Sequence, residues 1–210
     1  MSSAKLQEKI ILHFPFKTTG KQKQIITDIS EFITTIGNRS IFMLKGYAGT
    51  GKTTLVSTLV KSLPILGKRS VLMAPTGRAA KVIANYSNKK AFTIHKQIYY
   101  TKSEKGSGVQ FVLKPNKSKN TIFIVDEASM IGDDRQSAKL FENGSLLDDL
   151  MQYVDSGSNC KLLLVGDPAQ LPPVHLDISP ALDGDYLKSQ FNKVVTEWEL
   201  KEVVRQQQDS

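Results

Sequence analysis

One eight-residue segment, from Gly46 to Thr53, has the composition and spacing of a phosphate-binding loop. It fits the pattern G-x-x-x-x-G-K-[ST] completely, between an apolar run and an amphipathic segment. Glycines let such a backbone curl until its N–H groups point at phosphate oxygens, and the following helix adds the positive end of its dipole. Lys52 supplies a positive charge for the β- and γ-phosphates, and Thr53 offers a hydroxyl to Mg²⁺. The segment therefore predicts a nucleoside triphosphate site.

Two adjacent acids, Asp126 and Glu127, stand directly after the apolar run 122–125. A magnesium–triphosphate site needs a carboxylate at a strand end near the phosphate loop, and Asp126 fits that requirement. The neighbouring Glu127 suits a general base that orients the attacking water. Gln170 follows another apolar run and can both donate and accept hydrogen bonds. Its position is compatible with a sensor of the γ-phosphate and equally with a proline-rich structural turn.

Alternating apolar runs and amphipathic segments must position these residues. Apolar runs bounded by turn residues predict buried strands, at 41–44, 71–74, 121–125, 161–165 and 194–196. Apolar residues at helical spacing predict helices, at 20–36, 52–63, 78–86 and 146–154. This alternation is typical of an α/β fold with a parallel sheet covered by helices on both faces. Such sheets bind ligands beyond the carboxyl ends of their strands, where the two acids and Gln170 stand.

Basic residues are concentrated in the first part of the chain. Residues 1–120 contain 21 Lys or Arg and 4 Asp or Glu, a net charge of +17, whereas residues 121–210 contain 7 and 16, a net charge of −9. A basic half favours a polyanionic partner such as nucleic acid, although a solvated face that serves solubility would have the same composition.

Residues 99–120 interrupt the alternation with a basic stretch that contains five lysines and one glutamate. Its apolar run at 109–113 predicts either pairing with the strand at 121–123 or a small hairpin that turns around Pro115 and Asn116.

The composition excludes several classes of protein. With 40% hydrophobic and 23% charged residues, the chain is neither disordered nor fibrous. It contains no apolar run long enough to span a membrane and no apolar leader after Met1. Its single cysteine, Cys160, excludes a disulfide framework and a cysteine-based zinc site, and it favours a reducing, cytoplasmic location.

Several blocks, in the same order along the chain, resemble superfamily 1 DNA helicases, specifically the RecD-like branch that includes the Pif-type helicases. The blocks span nearly the whole chain, at 19–22, 46–54, 74–80, 93–96, 125–130, 166–173 and 200–206. The resemblance implies a RecA-like P-loop NTPase fold. It also implies a set of nucleotide-binding residues, namely Gln22, Gly46, Ala48, Gly49, Thr50, Gly51, Lys52, Thr53 and Thr54. Gln22 would read the adenine, and Gln24 is a competing candidate for that role.

The resemblance further implies catalytic, metal and DNA contacts. The implied catalytic residues are Lys52, Glu127, Gln170 and Arg205, and Arg205 would reach the γ-phosphate. Thr53 and Asp126 would hold Mg²⁺. Single-stranded DNA would lie along a track formed by Pro75, Thr76, Gly77, Arg78, His95 and Lys96. For His95, a place in the core is the alternative, and Tyr86 and Trp198 are both expected in the core.

Residues 99–120 stand where RecD-like helicases carry a small inserted hairpin that splits the duplex, and a basic surface hairpin without that role is equally compatible with the sequence. The motor of this family has two RecA-like domains, and the blocks of the second have no counterpart here. Residues 1–210 are therefore expected to be the first motor domain of a longer protein. No membrane partner is expected.

The implied cofactors are ATP and Mg²⁺, and the implied partners are single-stranded DNA and the second RecA-like domain of the same parent chain. The implied activity is ATP-dependent, 5′-to-3′ helicase action, to which the isolated domain would contribute little hydrolysis. Two other classes also use a phosphate loop. They are a P-loop kinase or small-molecule ATPase, and a nucleotide-regulated nucleic-acid-binding module.

Overall fold

The predicted parallel sheet is present in a computed structural model that describes residues 2–104, 108–132, 144–173, 176 and 178–202. Within these residues eight strands are formed, β1 (Ser40–Gly46), β2 (Arg69–Ala74), β3 (Ala91–Thr93), β4 (Tyr99–Glu104), β5 (Gly108–Leu113), β6 (Thr121–Val125), β7 (Lys161–Gly166) and β8 (Val194–Leu200). Six of them form one sheet in the order β3–β2–β6–β7–β1–β8. Every neighbouring pair in this sheet is parallel, so all six carboxyl ends lie along one edge.

In the part of the chain that the structure describes, seven α-helices accompany the sheet, α1 (Ser3–His13), α2 (Gly20–Thr34), α3 (Lys52–Ser62), α4 (Gly77–Ser87), α5 (Ile94–Ile98), α6 (Leu146–Asp155) and α7 (Gly184–Phe191). Side chains alternate between the two faces of a strand, and the core divides accordingly. On β6, Ile122 and Ile124 pack in a core with residues of α1, α2 and α3, whereas Phe123 and Val125 pack in a core with residues of α5, α6 and α7. The prediction of helices on both faces is therefore confirmed.

The predicted pairing of the 109–113 run is wrong. This run is part of β5, which pairs antiparallel with β4 from Tyr99↔Leu113 to Glu104↔Gly108. The connection lies at 105–107, outside the described residues, and neither Pro115 nor Asn116 forms it. Asn116 is instead buried against α6, where its Nδ2 donates to the carbonyl oxygen of Tyr153 over 2.8 Å. The inserted hairpin itself is confirmed.

Several elements differ from the predicted ones. The last strand is longer than predicted, because all seven residues of β8 pair with β1. The helix predicted at 52–63 ends at Ser62 and continues as a 3-10 turn over Leu63–Leu66, where Pro64 is tolerated. The sequence patterns missed five short or weakly periodic elements, α1, β3, β4, α5 and α7. Among the described residues, no helix is long and apolar enough to cross a membrane.

Candidate functional site

The phosphate loop connects the end of β1 to the start of α3, as its sequence predicts. Gly49 and Gly51 have φ angles of 77° and 89°, a left-handed conformation that glycine adopts without strain. Gly46 is required for a different reason. A Cβ there would lie 2.8 Å from Thr50 Oγ1 and 2.9 Å from the carbonyl oxygen of Leu200, which is too close for either atom. The glycines therefore set both the curvature of the loop and its close packing against β8.

The Lys52 ammonium group lies inside this loop. Its Nζ donates to the carbonyl oxygens of Gly46 and Tyr47, over 2.5 Å and 2.9 Å. Burial lowers the pKa of Lys52, and the carboxylates of Asp167, Glu127 and Asp126 partly oppose that shift. The lysine is thus held within the loop, with three carboxylates close enough to affect its pKa.

Asp126 and Glu127 follow β6 directly. The Asp126 N–H donates to the carbonyl oxygen of Met73 on the neighbouring strand, over 2.9 Å, which fixes the start of this turn. Burial raises the pKa of Asp126 to about 6, and the Glu127 charge adds to that shift. Glu127 has a φ of 56°, a conformation that costs energy in a residue with a side chain. The backbone thus turns sharply between two carboxylates with different surroundings.

The donors in this region suit a small hard cation. Thr53 and Asp126 both line the same cavity, and together they supply a hydroxyl and a carboxylate oxygen. A buried carboxylate whose pKa is raised to about 6 gains stability when a cation neutralises it. Among the described residues, no group of three His, Cys, Asp or Glu side chains forms a protein-only metal site. These residues therefore suit a Mg²⁺ ion whose remaining ligands would be phosphate oxygens and water.

The segment after β7 brings Asp167 and Gln170 to the same place. The Asp167 carboxylate accepts from the N–H of Ala169, and its carbonyl oxygen accepts from the N–H of Gln170, over 2.9 Å and 3.2 Å. Ser129 Oγ donates to Gln170 Oε1 over 2.7 Å. The structural turn is therefore present, and it places Gln170 in the cavity wall.

Gln22 belongs to the cap of α2. Its Oε1 accepts from the N–H of Thr19 over 2.9 Å, and its own N–H donates to Thr19 Oγ1 over 3.2 Å, which is a capping box. The side chain is only 4% exposed, and its Nε2 would lie 3.4 Å from a Cβ placed on Gly51. Gln22 therefore lies against the phosphate loop, whereas Gln24 is exposed and is not among the residues that line the cavity.

One cavity of about 530 Å³ joins these residues. It is lined by the predicted residues Gln22, Ala48, Gly49, Thr50, Gly51, Lys52, Thr53, Thr54, Asp126, Glu127 and Gln170. Gly46 contributes the carbonyl oxygen that Lys52 contacts. The predicted catalytic residue Arg205 lies outside the described residues.

The sequence patterns missed the rest of the cavity wall, which consists of Phe14, Phe16, Lys17, Tyr47, Val82, Tyr86 and Asp167. The expectation that Tyr86 is in the core is wrong, because its side chain is 65% exposed at the cavity mouth. Trp198 is partly buried against the core, and its Nε1 donates to Asp28 over 2.8 Å. One feature of the sequence could have indicated this part of the wall. Phe14 and Phe16 are aromatic residues that do not belong to the apolar face of any predicted helix.

The predicted DNA track lies at the ends of β2 and β3, outside the residues that line the cavity. These two strands are neighbours, with Ala74 opposite Thr93, so the segments that follow them start side by side. Thr76 caps α4 by accepting from the N–H of Ala79 over 3.2 Å. Gly77, Arg78 and Lys96 are exposed. The structure therefore brings the two predicted DNA segments together on one open surface.

His95 differs from the other members of the track. Its ring is half-buried, with its centroid 5.3 Å from that of Phe111 on β5 and 5.8 Å from that of Tyr99 on β4. Burial lowers its pKa. His95 therefore packs under the base of the hairpin and is less open to a ligand than Arg78.

Comparisons with known proteins agree with this architecture. A family model described as "AAA domain" matches residues 19–210. The ATP-dependent RecD2 DNA helicase of Deinococcus radiodurans is 32% identical over 139 residues, which cover 66% of this chain and 17% of that protein. The ATP-dependent DNA helicase dda of Enterobacteria phage T4 is 31% identical over 166 residues, which cover 77% of this chain and 34% of that protein. The chain thus spans about a third or less of the length of these relatives.

A solved structure shows the same fold. The crystal structure of Pif1 helicase from Candida albicans matches with a TM-score of 0.55 and 24% identity, over 92% of this chain and 42% of that one.

Proposed function

The chain belongs to the AAA-domain family, and on that premise we propose that it is the ATP-binding motor domain of an ATP-dependent DNA helicase. One observation carries the proposal. A single cavity joins the phosphate loop to Asp126, Glu127 and Gln170, so segments that follow three strands, β1, β6 and β7, meet in one place. Nucleotide hydrolysis needs a phosphate cradle, a metal carboxylate and a group that orients water in one place. The relatives named ATP-dependent DNA helicases support the same assignment.

Each residue of the cavity has a role in this proposal. The loop N–H groups and Lys52 bind the phosphates, and Thr53 and Asp126 hold Mg²⁺, which neutralises charge on the phosphate oxygens when it is bound. Glu127 orients the attacking water and accepts its proton, and Gln170 donates to the terminal phosphate. By the resemblance in sequence, Arg205 also reaches the γ-phosphate.

The aromatic part of the cavity wall suits an adenine base. Phe14, Phe16 and Tyr86 supply aromatic surface, against which a planar base can stack. The Gln22 amide lies beside the phosphate loop with its Oε1 engaged by Thr19, so its Nε2 is the group that remains to donate to a ring nitrogen. We infer that Gln22 reads the adenine.

Single-stranded DNA is the proposed polyanionic partner. Arg78, Lys96 and the N-terminal end of α4 provide positive charge and N–H donors on the open surface beside the cavity. The 5′-to-3′ direction and the second RecA-like domain come from the resemblance to RecD-like and Pif-type helicases. That second domain would supply the other wall of the nucleotide site, so this chain alone would hydrolyse ATP slowly.

Two measurements test the proposal. Titration calorimetry of the chain with MgADP and with a non-hydrolysable MgATP analogue should show binding that is lost or weakened in Lys52→Ala. ATP hydrolysis by the full-length protein should then rise when single-stranded DNA is added. Hydrolysis that depends on a small-molecule phosphate acceptor, and not on DNA, would identify a kinase or small-molecule ATPase instead. Nucleotide and DNA binding without any hydrolysis would identify a nucleotide-regulated binding module.

A further inference from the structure

Ser129 makes a hydrogen bond that links two of the segments around the cavity. It lies two residues after Glu127, in the 3-10 turn Ala128–Met130, and it is 2% exposed. Its Oγ donates to Oε1 of Gln170, which follows β7, over 2.7 Å. Ser129 does not line the cavity, so it can influence a ligand only through a neighbour.

The turn that carries Ser129 is held on two sides. The hydroxyl of the buried Ser179 donates to the carbonyl oxygens of Ala128 and Ile131, which lie 3.0 Å and 2.7 Å away. On the other side, a Cβ placed on Gly166 would lie 3.1 Å from the Ser129 backbone nitrogen, so the end of β7 packs directly against this turn. These contacts hold Ser129 in place, so its hydroxyl can orient the exposed side chain of Gln170.

A glutamine amide presents different chemistry at its two ends. Its oxygen accepts hydrogen bonds and its Nε2 donates two, whereas phosphate oxygens only accept. If Oε1 pointed at a phosphate, two acceptors would face each other. By donating to Oε1, Ser129 leaves Nε2 as the end that is free to donate into the cavity, and a flip of the amide would break the 2.7 Å bond.

We propose that Ser129 is a positioning residue that fixes the amide of Gln170 with Nε2 towards the terminal phosphate, and that the Ser129–Gln170 pair makes the site prefer a nucleoside triphosphate to a diphosphate. This inference rests on the proposed function, because it presumes that a nucleotide occupies the cavity. It deepens that function by naming the residue pair that distinguishes ATP from its product. Ser129 does not touch the nucleotide in this scheme.

The test compares the affinities of the 210-residue chain for MgADP and for the non-hydrolysable analogue MgAMP-PNP by titration calorimetry. The wild type should prefer the analogue. Gln170→Ala removes the amide and should therefore reduce the preference for the analogue over MgADP. Ser129→Ala should reduce the same preference roughly two- to tenfold, the range for one neutral hydrogen bond. In both variants the affinity for the analogue should fall more than the affinity for ADP, which lacks the terminal phosphate.

Three further variants separate positioning from a structural role. Ser129→Thr keeps the hydroxyl and should keep the preference. Ser129→Cys keeps a side chain of similar shape with a weak donor, so it should behave like Ser129→Ala if the alanine variant is unstable. Ser30→Ala removes another buried serine hydroxyl, one that donates to the Ile26 carbonyl oxygen within α2, and it should leave the preference intact.

The double variant decides between mechanisms. If Ser129 acts through Gln170, adding Ser129→Ala to Gln170→Ala should change the preference no further. The proposal is overturned if the wild type shows no preference for the analogue. It is also overturned if Ser129→Ala lowers both affinities and Tm together, or if it acts equally in the two backgrounds. Absence of all nucleotide binding by the folded wild type would instead contradict the proposed function itself, and this inference with it.

Discussion

At the carboxyl edge of the sheet, the ends of β1, β6 and β7 surround a cavity, whereas the ends of β2 and β3 lead into an open surface. In the first region, polar side chains are partly or fully buried and hydrogen-bonded to the backbone of the loops, as Lys52 and Asp167 are. In the second, Arg78 and Lys96 extend into solvent. The same edge of one sheet therefore carries two kinds of surface.

The difference matches the demands of the two proposed ligands. A reacting phosphate must be held in one geometry, and preorganised charges in a site shielded from water are the most effective means. A DNA strand that moves past the protein must be held weakly and repeatedly, and exposed cations on a solvated surface can do that. We therefore expect substitutions in the cavity to have larger and more specific effects than those on the track.

The largest effect is expected for Glu127→Gln in the full-length protein. Turnover should fall by ~10²–10⁴-fold because the proton acceptor is lost, while nucleotide affinity is kept. ATPase rates at saturating single-stranded DNA and calorimetric affinities measure the two quantities. Arg78→Ala is the control from the open surface, and its turnover at saturating DNA should be close to that of the wild type. Equal losses in the two variants would remove the functional distinction between the regions.

The next largest effect is expected for Lys52→Ala. It should weaken nucleotide binding by ~1.5–3 kcal/mol, the range for a hydrogen bond to a charged group. The matched control is Lys61→Ala, which removes an exposed lysine from the last turn of the same helix. Calorimetry with MgADP measures both. Equal affinity in wild type and Lys52→Ala would show that the loop does not bind phosphate.

Gln22 is expected to contribute to two measurable quantities, the free energy of unfolding and the affinity for adenine nucleotides. Gln22→Ala should lower the free energy of unfolding by about 1 kcal/mol, because the capping box loses one partner. Gln22→Glu keeps an acceptor for the Thr19 N–H and should keep that stability, but it lacks the Nε2 donor and should bind adenine nucleotides less well. Chemical denaturation and calorimetry separate the two effects. If both variants bind nucleotide as the wild type does, Gln22 is only a cap.

The smallest effect is expected on the open surface. The logarithm of the affinity for single-stranded DNA should fall with the logarithm of salt concentration, and Arg78→Ala should reduce that slope by ~0.7, the value for one phosphate contact on a single strand. Fluorescence anisotropy with labelled oligonucleotides of several sequences measures the slope, and all sequences should weaken alike. If Arg78→Ala changes nothing while substitutions among the lysines of 102–119 abolish binding, the hairpin is the main DNA contact.

The sequence predicted the parts of the fold that have strong periodicity. The buried strands β1, β2, β6 and β7 are continuous apolar runs, and their order implied a parallel sheet with two covered faces. The family resemblance is confirmed by the comparisons. The pairing of β5 was mispredicted because its partner β4 contains Thr101, Lys102, Ser103 and Glu104, a polar run that periodicity does not identify as a strand.

The candidate site also has a part that the sequence predicted and a part that it did not. Backbone chemistry fixes the spacing of the phosphate loop, so its residues were predictable one by one. The aromatic wall was not, because Phe14, Phe16 and Tyr86 come from a connection and from the last turn of a helix, where no pattern marks them. The bond between Ser129 and Gln170 joins residues that are 41 positions apart, and only the fold brings them together.

The close packing of Gly46 against Leu200 has a mechanical consequence. The last residue of the edge strand β8 lies against the first residue of the phosphate loop. Because that loop residue is glycine, it has no side chain to separate the two backbones. A displacement of β8 at Leu200 would also displace that loop. The contact between these two residues therefore couples the position of β8 to that of the phosphate loop.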